Sequence, residues 1–277
     1  MASAASSILR ETRASFAFVE RNYHLTRRYL GWEIVFLAYS LVNSLAILFL
    51  GASVQMRDST LAGQGLILYL LVGTLVWAYL AVVFDVIAEM ISWERWEGTI
   101  EYTFMAPITR ATHLIGSCVF GVVYGFVRTG VILGVISLFF QIDLRQANFA
   151  GAAIALLVGS VGFVGLGIMA ATLPLMFTER GAQMTQIVRA ALLLVSGVYY
   201  PIEVLPGWMQ AIATVSPATY VLEASRRSLL DGAAPGELLG LLWPLALTGI
   251  VCIPLGLFTF GIVERYVKRT GRLKRSG

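Results

Sequence analysis

Charge is what this chain has least of. Only 13% of its 277 residues are Asp, Glu, Lys or Arg, and 58% are apolar with 27 glycines left out of that figure. A soluble surface needs about 25–35% charged residues. That excludes a cytosolic enzyme, a secreted disulfide scaffold and a disordered regulator. Lysine is nearly absent: Lys268 and Lys274 are the two, both near the C-terminal end. Neither stands in a G-x-x-x-x-G-K-[ST] phosphate loop, so any dependence on ATP must come from another polypeptide. Histidine is scarce too. His24 and His113 stand alone, and Cys118 and Cys252 lie in separate apolar runs. These predict neither a metal site nor a structural disulfide.

What remains is apolar and long. A bilayer core about 30 Å thick needs roughly 20 apolar residues as helix. Six candidate spans follow: Trp32 to Leu50, Gly65 to Glu89, His113 to Phe140, Phe149 to Phe177, a short Met184 to Tyr199, and Leu238 to Val263. The fold expected is all-α and polytopic, with a membrane domain over 32–263. Eighteen of the 20 basic residues are Arg. They flank apolar runs instead of forming a stripe, which speaks against nucleic acid and for bilayer orientation. Fourteen lie on the side of both termini, four on the other, and Arg128 and Arg189 fall within spans. Both termini are therefore expected in the cytoplasm, including a basic tail over 264–277.

Residues 1–31 carry five Arg and no apolar core of signal-peptide length. Phe16, Val19, Tyr23 and Leu30 recur at helical spacing. This predicts an amphipathic interfacial helix, either a plain surface anchor or one that also touches a cytosolic subunit. A second amphipathic helix is expected in the loop at about 92–107. Trp93, Trp96, Ile100 and Phe104 would form its apolar face, Gly98 stands mid-run, and Pro107 ends it. It either caps the bundle or docks into a partner. On the other side, residues 200–234 are too polar to span, and Pro201, Pro206 and Pro217 break them into pieces. The stretches Gly207 to Val215 and Ala218 to Leu230 look helical, with Glu223 and Arg227 spaced for an i,i+4 pair. This segment reads as a re-entrant helical pair or an ordinary interfacial loop.

A few polar groups fall within the spans. Arg128, near the middle of the third, costs on the order of 2.5–3.5 kcal/mol there. It needs a carboxylate or carbonyl partner, as a structural pair or on a translocation path. Asp85 and Glu89 sit at the inner end of the second span, either on a solvated vestibule or linking span to loop. Arg189 is placed to snorkel. Glycines at 121, 125, 130, 159, 162, 165 and 167 allow close helix approach, as internal packing or a dimer seam. Pro174, Pro244 and Pro254 are expected to kink their helices.

The loop Glu94-Arg95-Trp96-Glu97-Gly98-Thr99-Ile100-Glu101, followed by Ala106-Pro107, resembles the coupling-helix signature of type-2 ABC exporter permeases. Ser216-Pro217-Ala218-Thr219-Tyr220, leading to Glu223, Arg226-Arg227 and Asp231-Gly232, resembles that family's stretch before the last span. Length, span number and the N-terminal helix fit as well, so the resemblance covers the whole chain. It departs at Tyr102-Thr103-Phe104-Met105, where many members are leucine-rich, and that alters groove packing against the partner. The resemblance implies a half-transporter in the bacterial cytoplasmic membrane. It implies a second permease copy, identical or similar, and a cytosolic ATP-binding cassette subunit that holds ATP and Mg. Glu94 to Thr99, Glu101 and Pro107 would dock on that subunit. Tyr200, Pro201, Pro217, Tyr220, Glu223 and Arg227 would form an outer re-entrant gate. The cargo would be a drug, lipid or lipid-linked glycan.

Two other classes compete. A stand-alone secondary carrier or channel would place coupling charges at the midplane, where only Arg128 sits, and would leave the loop helix without a task. A membrane-embedded enzyme would need clustered His, Asp, Glu or Ser.

Overall fold

A helix of n residues is about 1.5n Å long, so span length can be compared directly with bilayer thickness. The computed structural model describes residues 2–57, 65–107, 109–140, 142 and 145–271. The tail positions Arg272, Lys274 and Arg275 lie outside the described residues. Twelve α-helices follow in chain order among them. The first six are α1 (Ala2–Arg28), α2 (Leu30–Arg57), α3 (Gly65–Ala88), α4 (Met90–Glu97), α5 (Ile100–Met105) and α6 (Arg110–Ile136). Then come α7 (Phe149–Ala170), α8 (Thr172–Met176), α9 (Gly181–Val195), α10 (Gly207–Ala213), α11 (Pro217–Leu230) and α12 (Leu239–Arg269). No strand occurs among the described residues. Five stretches are long and apolar enough to cross a membrane: α2, α3, α6, α7 with α8, and α12. The protein is an all-α, multi-pass membrane protein.

The sixth expected span is α9. Its 15 residues reach about 22 Å, short of the ~30 Å hydrocarbon core. The reason is visible at its end. The chain turns at Gly197 with φ of 67°, and the Val198 carbonyl rests on Gly73 of α3, where a Cβ would lie 2.2 Å away. The helix stops below the surface because the following segment fills the space above it.

That segment re-enters the bundle. Pro217, the first residue of α11, packs on Gly162 of α7, Val221 on Gly159, and Ser228 on Gly151. The distance from Gly151 to Gly162 along α7 is about 16 Å, so α11 begins that far inside and climbs outward. Asn148 fixes its upper end. The Asn148 side chain caps α7 by accepting from Gly151 N at 3.0 Å and donates to Ala233 O at 3.1 Å. Its backbone N–H donates to Ser228 O at 2.8 Å.

The core centres on α3, which buries Val76, Tyr79, Leu80, Val83, Phe84 and Ile87. Tyr79 Oη shares a 2.6 Å hydrogen bond with Ser160 Oγ of α7, which removes an otherwise unsatisfied hydroxyl from a dry interior. Small residues set the closest approaches, as at Gly165 against Cys252 of α12. Gly130, by contrast, has nothing within 4 Å of where a Cβ would stand and takes no part. Helix α12 runs unbroken through Pro244 and Pro254, whereas α7 ends at Ala170 and α8 carries Pro174.

Helix α1 packs on α6 through Glu11, Ser15, Phe18 and Asn22. Ser15 Oγ donates to Thr112 O at 3.1 Å, and Asn22 Nδ2 to Ser117 Oγ at 3.4 Å. This is not the stripe read from the sequence. Phe16, Tyr23 and Leu30 of that stripe are exposed. The face that α1 turns to the bundle is instead the polar one, together with Phe18 at the cleft of Gly116.

Candidate functional site

The candidate site is the loop between α3 and α6, at the end of the bundle shared with α1 and the end of α12. The apolar period running from Trp93 to Phe104 predicts one continuous helix. The structure corrects this: two short helices meet at Gly98, whose φ of 73° is left-handed. That conformation ends α4, and the Gly98 and Thr99 N–H groups close on the Arg95 and Glu94 carbonyls at 3.2 and 2.9 Å. A glycine takes this cap without the Cβ clash other residues suffer.

Breaking the helix also changes which side is buried. Trp93 and Trp96 are exposed, while Ile100 and Phe104 are buried. Glu94 and Arg95, charged and expected at the surface, retain only 1% and 3% of their exposure. Neither can meet a partner directly. Glu94 Oε1 accepts from Arg21 Nη1 of α1 at 2.8 Å and lies 3.1 Å from His113 Nε2 of α6. Burial is the largest influence on the Glu94 carboxyl and pushes its pKa up. His113 and Arg21 together outweigh it and leave the value below the ordinary one. Arg95 donates to Thr178 Oγ1 at 2.5 Å and to Leu175 O of α8 at 3.0 Å, and burial lowers its pKa.

Other side chains tie the rest of the loop. Arg21 Nη2 also donates to Thr99 Oγ1 at 3.1 Å. Glu97 accepts from Tyr29 Oη at 2.5 Å, with Arg28 at 3.9 Å. Arg110 donates to the Thr103 and Phe104 carbonyls at 3.0 and 2.8 Å and pairs with Glu264 of α12 at 3.0 Å. Lys268 joins Glu264 at 2.7 Å. The two-helix elbow is thus bonded to α1, α6 and α8, and Arg110 of α6 links it on to Glu264 of α12. Its outward surface is Trp96, Glu101, Tyr102, Met105 and Pro107. The sequence motif therefore divides into an inner, buried set, Glu94 and Arg95, and an outer, exposed set, Trp96, Glu101 and Pro107. Arg21, Arg110 and Glu264 escape a motif reading, because their partners lie 73, 7 and 154 residues away.

The polar groups in the spans find partners. Arg128 donates to Phe36 O at 2.9 Å and Ser40 Oγ at 2.8 Å, tying α6 to α2. Asp85 pairs with Arg189, and Glu89 accepts from Gln186, joining the end of α3 to α9. Arg189 is thus held inside rather than snorkelling to the surface.

In the outer segment, Tyr200 and Tyr220 donate to the Leu194 and Thr214 carbonyls at 2.5 and 2.7 Å. Pro201 precedes a single 3-10 turn, Ile202–Val204, and Pro217 opens α11. The Glu223–Arg227 pair, 2.8 Å apart, stands in the open. The inward-facing charge is Arg226, which the i,i+4 pattern passes over. It donates to Val198 O at 2.8 Å and Gly197 O at 3.2 Å.

Crossing helices, a helix packed back into the bundle, and a bonded elbow with an exposed aromatic face define a polytopic membrane protein. The sequence profile of the ABC-2 type transporter family matches residues 16–230, and the chain belongs to that family. Over 177 residues it is 32% identical to the daunorubicin resistance ABC transporter permease protein DrrB1 of Streptomyces coeruleorubidus. That match covers 62% of this chain and 55% of the relative's length.

Proposed function

We propose that this chain is the membrane permease subunit of an ATP-driven exporter. A separate cytosolic ATP-binding cassette subunit holds ATP and Mg, and a second permease copy, identical or similar, completes the translocation unit. One observation carries the reading: the α4–α5 elbow exposes Tyr102 and Met105 outward while buried Glu94 and Arg95 bond it inward. Charge-assisted bonds of this kind are short and strong. A displacement applied to the exposed face therefore reaches α1, α6, α8 and α12 together. The excess of Arg and Lys on the elbow's side supports a cytoplasmic position for it and for both termini. The cargo proposed is a hydrophobic or amphipathic molecule of the drug type. The relative's name and the sparse midplane charge support it.

Co-purification of the permease from its source membrane tests the assembly. An ATPase subunit is expected with the wild-type chain. Tyr102→Glu with Met105→Glu should lose that subunit and drug efflux while leaving the melting temperature of the permease unchanged. No ATPase with the wild type, or undiminished efflux in the double variant, overturns the proposal.

A further inference from the structure

A cavity of about 130 Å³ opens between α1, the start of α2, the α3–α4 junction and α6. It lies beside the elbow, and Arg21, Tyr29 and Glu94 stand in its wall. Its walls are aromatic on two sides. Tyr29 and Trp93 stand on one, with ring centres 6.3 Å apart, and Phe120 and Tyr124, stacked at 5.6 Å, on the other. Aromatic faces attract cations, most strongly where water is excluded.

The polar lining points the same way. Glu33, on α2, accepts from Tyr124 Oη, and no cation pairs with it among the described residues. Glu94 is buried, lines the same cavity, and its Oε2 has no hydrogen-bond partner. Arg21, also in the lining, is already engaged with Glu94 Oε1 and Thr99. In the lining Glu33 and Glu94 face Arg21, with His113 behind Glu94 and Arg128 beside the Tyr124 hydroxyl. An ammonium group supplies three donors and no acceptor, and the volume suits such a headgroup rather than a whole drug-sized molecule.

We propose that this cavity is a binding site for the ammonium group of an amphiphile, with Glu33 as its counter-charge and the four rings as its walls. The apolar body would remain outside the cavity. Taking that amphiphile as cargo rests on the export reading. Binding itself does not.

The test is calorimetry on the full-length permease in nanodiscs of phosphatidylcholine and phosphatidylglycerol, with empty nanodiscs subtracted. Octylamine is the probe and octanol its uncharged counterpart. Saturable octylamine binding at least tenfold tighter than octanol is expected. Glu33→Gln should erase that preference. Tyr124→Phe leaves the carboxylate in place with one donor fewer, so it should keep the preference and shows that a change in this wall is tolerated. Equal binding of amine and alcohol, or a preference that survives Glu33→Gln, overturns the site. If Glu33→Gln does not fold, loss of the preference on Phe120→Leu stands in for it, and an undiminished preference there overturns the site. Replacing part of the lipid with phosphatidylethanolamine separates the sources. Weakened octylamine binding identifies a lipid headgroup as the competing occupant, and unchanged binding identifies the free amphiphile. ATP-driven uptake of a fluorescent amine into inverted vesicles is read alongside. Amine binding without uptake would sink the export reading and leave the site standing.

Discussion

The guanidinium carbon of Arg226 lies 3.7 Å from the centre of the Tyr69 ring. On its other side the same group donates to the carbonyls of Gly197 and Val198. It therefore joins α3, the turn after α9 and the re-entrant α11, and satisfies two carbonyls of that turn.

Two adjacent arginines should consequently differ in weight. Arg226→Ala removes charge-assisted bonds and a partly desolvated cation–π contact, and should cost about 2–4 kcal/mol. Arg226→Lys keeps the charge but loses the planar fork, so it should recover only part of that. Arg227→Ala breaks an exposed i,i+4 pair and should cost about 0.5 kcal/mol or less. Thermal unfolding of the three variants in detergent checks the order.

Glu94 predicts an acid-side dependence. Its pKa in the folded protein lies below the ordinary carboxylate value of 4.5. A depressed carboxylate contributes stability that is complete above its unfolded pKa and is lost as pH falls through its folded pKa. The wild type should therefore exceed Glu94→Gln in melting temperature near neutral pH. The difference should shrink as pH falls below the ordinary carboxylate range and through the depressed folded pKa. A gap that widens on acidification would contradict the pairing with Arg21 and His113.

Five of the six expected spans and the break points of the outer segment were legible in the sequence because each rests on local information. Apolar runs mark the spans, and Pro201, Pro206 and Pro217 mark where the outer segment cannot continue as helix. The inside of the loop was not legible. Glu94 and Arg95 occupy positions that a helical period assigns to solvent, and their burial depends on Arg21, His113 and Leu175, which belong to three other elements. Gly98 was visible mid-run, but nothing local distinguished a tolerated glycine from a left-handed cap. Arg226 was hidden by its neighbour, since Arg227 completes an i,i+4 pair and Arg226 does not. Partners remote in sequence decide Glu94, Arg95 and Arg226.

Glycines separate by what surrounds them. A Cβ on Gly165 would lie 2.5 Å from Cys252 Cβ and 2.6 Å from its carbonyl carbon. Since backbone has to move, Gly165→Ala should cost about 1–3 kcal/mol through overpacking of α7 on α12. Gly130→Ala meets nothing within 4 Å and, in a helix interior, should leave stability unchanged or raise it by up to about 1 kcal/mol. Paired melting curves decide. Equal effects at both positions would mean that the α7–α12 contact is not close-packed.

Orientation gives the last prediction. The elbow and the α10 region lie at opposite ends of the bundle, because α3, α6, α7 and α12 run between them. Positive charge is retained on the cytoplasmic side during insertion, and among the described residues 11 of 17 Lys and Arg flank the elbow's end. A variant with Cys118→Ser and Cys252→Ser supplies a background free of native thiols. In it, Val204→Cys should react with a membrane-impermeant maleimide on intact cells. Met105→Cys should react only after permeabilisation, in cells expressing the permease alone. Both positions are well exposed, at 73% each, so access to the residue itself is not limiting. The opposite pattern would invert the topology and put the elbow out of reach of any cytosolic ATPase. Labelling of both from outside would mean that the two loops share a face, which the alternating direction of the spanning helices forbids.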